Sequence, residues 1–296
     1  VGQMPNWVRW AIAGFALFLI IFLAVPFILS WTATENYRED IDVKNLSVDP
    51  GMSHYYEFEE HGKTYSFNLV DPGMAPLNIR DKVKYGFDII NHTEKYANHF
   101  VGGKTSCVNC HFCGGNTFGG KNGSISLVGA TFWFPPEGFT LKDRINNCFM
   151  RSLNGKPLPK DHPIMEAIVA YIDWISHELK GLPSYPWRGL KPLNVQHVAD
   201  IENGRKIYND KCALCHMMDG EGTCEIGCTI HIPPLWGDHA FNDGAGMNRP
   251  EKMASFVYCN MPFGQPSLTK EEAIDVTAYV QAQPRPHFIP PHDQSK

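Results

Sequence analysis

The chain has little net charge. Its 26 Lys and Arg stand against 31 Asp and Glu, for a formal charge of −5. So small an imbalance gives no electrostatic reason for a nucleic-acid partner, and nothing here resembles a nucleic-acid-binding motif. A small-x-small cleavage site is missing after the apolar amino-terminal stretch, because Trp31 occupies the obvious candidate position. Without that site, the stretch reads as retained rather than as a removed signal peptide. Cysteine, by contrast, is plentiful. Nine would be many for a cytosolic enzyme.

Four of the nine fall in two copies of one pattern, Cys107-Val108-Asn109-Cys110-His111 and Cys212-Ala213-Leu214-Cys215-His216. Two thiols three positions apart followed directly by an imidazole is the spacing that attaches a c-type haem. Each thiol, at Cys107, Cys110, Cys212 and Cys215, can form a thioether with a porphyrin vinyl group. His111 and His216 then meet the iron from the proximal side. Chance does not produce the pattern twice, and zinc would leave only two Cys and a His per site. The expectation is two covalently bound haems. Their attachment takes place outside the cytoplasmic membrane, so the haem domains should lie in the periplasm or its equivalent.

The amino-terminal segment agrees. From Trp7 to Trp31 the sequence is almost wholly apolar, with Arg9 its only charge, and residues 10–29 suffice to cross a bilayer. Trp7, Trp10 and Trp31 sit where interfacial aromatics belong. Arg9 before the span and Glu35, Glu39, Asp40 and Asp42 after it put the amino terminus inside. The expectation is a single-pass membrane anchor over residues 1–31. A spacer and hairpin should occupy residues 32–75, because Tyr55-Tyr56-Glu57-Phe58-Glu59 and Thr64-Tyr65-Ser66-Phe67-Asn68 alternate on either side of His61-Gly62-Lys63. Its expected place is as a small cap on the first haem domain.

The rest reads as one plan used twice. Gly86-Phe87-Asp88-Ile89-Ile90-Asn91 matches Gly204-Arg205-Lys206-Ile207-Tyr208-Asn209, the glycine allowing close approach of a crossing helix. Later, Ala170-Tyr171-Ile172 matches Ala278-Tyr279-Val280 in predicted helices over 163–179 and 270–283, the second opened by Thr269 and Glu272. The predicted fold is mostly α, with two tandem class I cytochrome c domains at 76–182 and 196–286, a Pro/Gly-rich linker at 183–195 and a tail at 287–296.

The sixth ligands differ between the halves. Asn260-Met261-Pro262-Phe263-Gly264 has the interval and loop chemistry of a distal methionine, so Met261 is expected opposite His216, ahead of Met217, Met218, Met247 and Met253. Pro233 or Pro234 should supply a carbonyl to the other nitrogen of His216. His/Met ligation raises the potential and would make the second haem the electron exit. The first half has no Met-Pro loop. In its place stands Arg144-Ile145-Asn146-Asn147-Cys148-Phe149-Met150-Arg151-Ser152. Either Cys148 is the ligand, or it is a buried structural cysteine and Met150 takes the iron. Arg144 and Arg151 would favour a thiolate and attract an anion.

At these residues the chain resembles the dihaem thiosulfate dehydrogenases. The likeness is carried by Arg144-Ile145-Asn146-x-Cys148-x-x-Arg151-Ser152-Leu153-Asn154-Gly155 and by Tyr171-Ile172-x-Trp174-Ile175-Ser176. Further matches are Pro233-Pro234-Leu235-Trp236-Gly237, Phe241-Asn242-x-Gly244-Ala245-Gly246-Met247, Asn260-Met261-Pro262 and Pro284-Arg285-Pro286. The resemblance implies His111/Cys148 ligation at an active-site haem where two thiosulfates couple to tetrathionate. It further implies that the Cys148 sulfur takes part covalently, that Arg144 and Ser152 hold substrate, and that electrons leave through the His216/Met261 haem. The family carries arginine shortly before the Thr-Leu that precedes this segment. Here Phe132-Trp133-Phe134-Pro135-Pro136-Glu137-Gly138 is aromatic and has no cation. The alternative expectation is an electron-transfer subunit of a membrane respiratory or photosynthetic complex, with a redox partner and no substrate chemistry. Of the remaining cysteines, Cys224 and Cys228 bracket a short loop that would suit a disulfide or, with His231, a metal; Cys113 and Cys259 receive no role.

Overall fold

His61 and Gly62 both take positive φ, 52° and 72°, the left-handed pair that a two-residue hairpin turn demands. They join β1 (Tyr55–Glu60) to β2 (Lys63–Asn68) in an antiparallel pair closed by Glu60 opposite Lys63. A computed structural model describes residues 55–118, 125–134, 137–223 and 232–290, all within one compact unit, Asp49–Lys296. The expected span at residues 10–29, its spacer and the loop with Cys224, Cys228 and His231 lie outside the described residues. Among the described residues no helix is long and apolar enough to cross a membrane.

The fold is mostly helical, with the hairpin as its two-stranded sheet. In the first half come α1 (Leu77–Asn91), α2 (Thr93–Tyr96), α3 (Ala130–Trp133), α4 (Leu141–Asn147) and α5 (Pro163–Ser176). The second half holds α6 (Ile201–Lys211), α7 (Ala213–His216), α8 (Pro250–Asn260) and α9 (Lys270–Gln281). The predicted helix over 163–179 ends its α-helical part at Ser176 and finishes in a 3₁₀ turn, His177–Leu179.

Both halves are built on one helix crossing. A Cβ at Gly86 of α1 would lie 2.1 Å from the Ala167 carbonyl oxygen and 2.7 Å from the Tyr171 Cβ on α5. At Gly204 of α6 it would lie 2.0 Å from the Asp275 carbonyl oxygen and 3.0 Å from the Tyr279 Cβ on α9. Only a residue without a side chain permits backbone contact this close. The same two tyrosines that the sequence aligns stand against the same two glycines. Each crossing buries its own core: Val83, Ile89, Phe149, Met165 and Tyr171 in the first half, Ile207, Tyr208, Trp236, Val276 and Val280 in the second. Side chains of this size are each worth roughly 1.5–3 kcal/mol when removed from water.

The hairpin is fastened to the first core. Tyr56, Phe58 and Phe67 point inward and surround Trp187 at ring-centroid distances of 5.0, 6.4 and 5.3 Å. Trp187 is buried, and its indole N–H donates to the Val128 carbonyl at 2.8 Å. The segment expected as a linker therefore has no helix or strand, as its Pro and Gly content requires, yet it is not a free tether. Its tryptophan is the middle of an aromatic plug.

Candidate haem site

In the first motif, Cys107–Asn109 forms a 3₁₀ turn tied to the end of α1. The Cys107 amide donates to Thr93 Oγ1 at 3.0 Å, the Thr93 amide donates to Ser106 Oγ at 3.0 Å, and the Ser106 amide donates to Asn109 Oδ1 at 2.7 Å. Asn109, one of the two variable residues of the motif, is thus the device that sets its turn. Beyond His111, Cys113, Gly114 and Gly115 all have positive φ, and the Tyr171 hydroxyl donates to the Gly114 carbonyl at 3.0 Å. The second motif is held comparably: the Tyr208 hydroxyl donates to the Met217 carbonyl at 2.7 Å.

The two histidines are set alike. His111 Nδ1 lies 2.7 Å from the Ile125 carbonyl oxygen and His216 Nδ1 lies 3.1 Å from that of Pro233, as expected. A carbonyl only accepts, so Nδ1 carries the proton and Nε2 keeps its lone pair. Burial pushes the His111 imidazole down to about 4, the Ile125 carbonyl opposing and the Arg144 guanidinium reinforcing it. Burial also lowers His216 against the Pro233 hydrogen bond. Both rings are therefore neutral at pH 7, the form that binds a metal. Cys107, Cys110, Cys212 and Cys215 are free thiols. Burial, with a contribution from Cys148, pushes Cys107 and Cys110 up to about 12. Paired thiols beside an imidazole whose Nε2 keeps its lone pair fit a covalently bound haem c at each motif.

Cys148 joins this neighbourhood. It follows α4 directly and opens a single π-helical turn, Cys148–Ser152, a distortion that recurs at functional sites. Thr140 caps α4, its hydroxyl accepting from the Asp143 amide at 3.3 Å. Arg144 lies one turn before Cys148 on the same face, and its Nη1 donates to the sulfur at 3.3 Å. The field of Cys148 is felt at both Cys107 and Cys110, and that of Arg144 at His111. Cys107, Cys110, His111, Arg144 and Cys148, scattered over the sequence, converge. Ser152 closes the π-turn and is half-buried. Arg151 turns elsewhere: its guanidinium lies 4.8 Å from the Phe288 ring centre, and its Nε is buried without a hydrogen-bond partner.

Met261 follows α8 and joins a small cluster with Phe256, Met247 and, from the first motif, Phe112 and Cys113. Among its rivals, Met218 is exposed and Met253 is packed in the second core. The Phe112 ring, next to His111, stands 5.4 Å from Phe256 and 5.1 Å from Phe263. The segment that follows the first motif therefore meets the second half through the two aromatic rings that flank Met261 in the sequence. Sequence reasoning gave no role to Phe112.

Residues 201–284 match the family model described as Cytochrome c. The chain is 40% identical to the thiosulfate dehydrogenase of Thiomonas intermedia, over 69% of this chain and 66% of that protein. It is 34% identical to that of Allochromatium vinosum, over 72% of this chain and 82% of that protein. The chain belongs to the thiosulfate dehydrogenase family. Among solved structures, thiosulfate dehydrogenase (TsdBA) from Marichromatium purpuratum in its as-isolated form matches with a TM-score of 0.65 and 28% identity, over 74% of this chain and 50% of that one. Against the aromatic stretch lies Arg188, whose guanidinium is 5.3 Å from the Trp133 ring centre and which comes from the segment between the two halves.

Proposed function

We propose that the protein carries two haems c and oxidises thiosulfate to tetrathionate at the first, held by His111 and Cys148, with electrons leaving through the second, held by His216 and Met261. When bound, the haems supply one-electron acceptors of differing potential. The chain's own residues do the rest. Two thiosulfate dianions lose one electron each and join through a new S–S bond, giving tetrathionate. Bringing two dianions together requires positive charge at the site, and Arg144 supplies it one helical turn from the sulfur. Ser152, four residues after Cys148, would donate a hydrogen bond to a bound oxyanion.

The observation that carries this reading is the 3.3 Å contact of Arg144 with Cys148 at a π-turn, in the same electrostatic neighbourhood as His111. The apolar run of residues 10–29 and the charges around it support anchoring in the cytoplasmic membrane with both haem-bearing halves on the periplasmic side, beside a redox partner. One observation favours a second reading, an electron carrier without substrate chemistry. Phe132-Trp133-Phe134 offers no cation where the family has one.

The test is to add thiosulfate to the purified holoprotein and follow the haem α-band in a stopped-flow instrument. Direct reduction is expected, slowed on the order of 10–10²-fold in Arg144→Gln. An α-band that changes only after a partner membrane fraction is added would establish the carrier instead.

A further inference from the structure

The motif Phe241-Asn242-x-Gly244-Ala245-Gly246-Met247 lies in the second half, yet its asparagine works on the first. Asn242 is 2% exposed. Its Nδ2 donates to the Met150 carbonyl at 2.8 Å and to Asn154 Oδ1 at 3.0 Å, and its backbone amide donates to the Arg151 carbonyl at 3.1 Å. Its Oδ1 accepts from the Gly244 amide at 3.2 Å, which fixes the side chain to its own loop. Every polar atom of the carboxamide is therefore used. All three donations end on residues 150–154, the π-turn and the residues that close it.

A π-turn is a local departure from helical pairing and needs outside partners for the carbonyls it exposes. Here the Leu153 amide donates to the Cys148 carbonyl at 3.0 Å and the Gly155 amide to that of Phe149 at 2.8 Å. Met150 and Arg151 receive Asn242. A second strand of contact lies beside it, the Lys104 amide donating to the His239 carbonyl at 2.9 Å, three residues before Cys107. The second half thus grips the first at the two places that carry Cys107 and Cys148.

We propose that Asn242 is a positioning residue for Cys148, holding the π-turn that presents the sulfur from the other half of the chain. The inference rests on the reading of Cys148 as an iron ligand. The released alternative is a turn that relaxes toward regular helix, rotating Cys148 away from His111. Losing hydrogen bonds to a buried carbonyl should shift that balance roughly tenfold.

The experiment titrates oxidised holoprotein with imidazole, which competes with Cys148, and follows the optical change at the first haem, with electron paramagnetic resonance reporting the thiolate-ligated species. Asn242→Ala and Asn242→Asp should each reduce the half-saturating imidazole concentration roughly tenfold. The aspartate keeps the acceptor for Gly244 but replaces the donor with an oxygen that repels the Met150 carbonyl, so it carries the comparison if the alanine variant loses haem. The signals of the second haem should not change. A half-saturation equal to that of wild type, with only the melting temperature lowered, would mean that Asn242 merely fastens the halves together and would overturn the proposal. If wild-type protein itself shows no thiolate signature, Cys148 ligation fails rather than the role of Asn242.

Discussion

Gly204→Ala sets two well-measured tendencies against each other. Alanine is a better helix former than glycine by about 1 kcal/mol, and Gly204 lies inside α6, so propensity alone forecasts a more stable protein. The crossing forecasts the reverse. The added Cβ would stand 2.0 Å from the Asp275 carbonyl oxygen and 2.5 Å from its carbon, where ordinary contact begins at 3.4 Å. Those are backbone atoms that cannot rotate away, so α9 must withdraw by more than an ångström. Forced overpacking costs about 1–3 kcal/mol. Withdrawal also stretches the Asp275 bonds to the Asp200 amide and Asn203, both 2.8 Å, for roughly 1 kcal/mol more. Subtracting the helix gain leaves a net loss of about 2 kcal/mol. In a cooperative unit of this size that is roughly 4–8 °C in melting temperature. Far-UV circular dichroism melts of the holoprotein, with haem content determined on the same samples, read it directly. A variant that melts at or above the wild-type temperature would refute the close crossing as the frame of the second half.

Two further outcomes follow from buried polar groups. Burial alone would raise the Asp275 carboxyl, but the Asp200 amide, Asn203 and His197 together hold it below the usual carboxylate range. A depressed folded-state value stabilises above the unfolded value near pH 4 and is lost as pH falls through the folded one. Melting temperature should therefore fall more steeply below pH 4 in wild type than in Asp275→Asn, whose cost at pH 7 should be about 1–3 kcal/mol; parallel acid profiles would contradict this. Tyr171→Phe removes the donor to Gly114 from a side chain that is 0% exposed. A loss of about 1–2 kcal/mol in denaturant melts is expected, and an unchanged midpoint would remove the hydroxyl from the account.

Much of the frame was legible because it depends on period and spacing. The hairpin registers about His61-Gly62, the Thr269–Glu272 cap closes at 2.8 Å and 3.1 Å, and the aligned glycines and tyrosines meet. The Pro233 carbonyl was expected because a carbonyl partner is what a metal-binding imidazole needs. What escaped reading were contacts made across long sequence distances. Asn242 on Met150, Trp187 under the hairpin and Phe112 against Phe256 and Phe263 join segments with no shared period. Cys148 lay between the two kinds. Its spacing left Met150 an equal candidate, and the π-turn that separates their directions has no recognisable residue pattern of its own.

On the proposed ligand sets, the two halves share a frame but close the second side of their haem pockets differently. In the second half Met261 follows α8 directly, and the preceding Asn260 side chain donates to the Phe256 carbonyl of the same half at 2.7 Å. In the first half the methionine loop is replaced by a π-turn, whose displaced carbonyls cannot all be satisfied locally. Asn242 of the second half donates to those of Met150 and Arg151, and the tail adds to the same interface: the Asp243 carboxylate accepts from the Phe288 amide at 2.7 Å, and the Phe288 ring meets Arg151. A π-turn whose carbonyls take donors from Asn242 thus makes the first half depend on the second for the geometry of Cys148. The motif beginning at Phe241 is then part of the first site's machinery, although every one of its residues follows the second haem-attachment histidine in the chain.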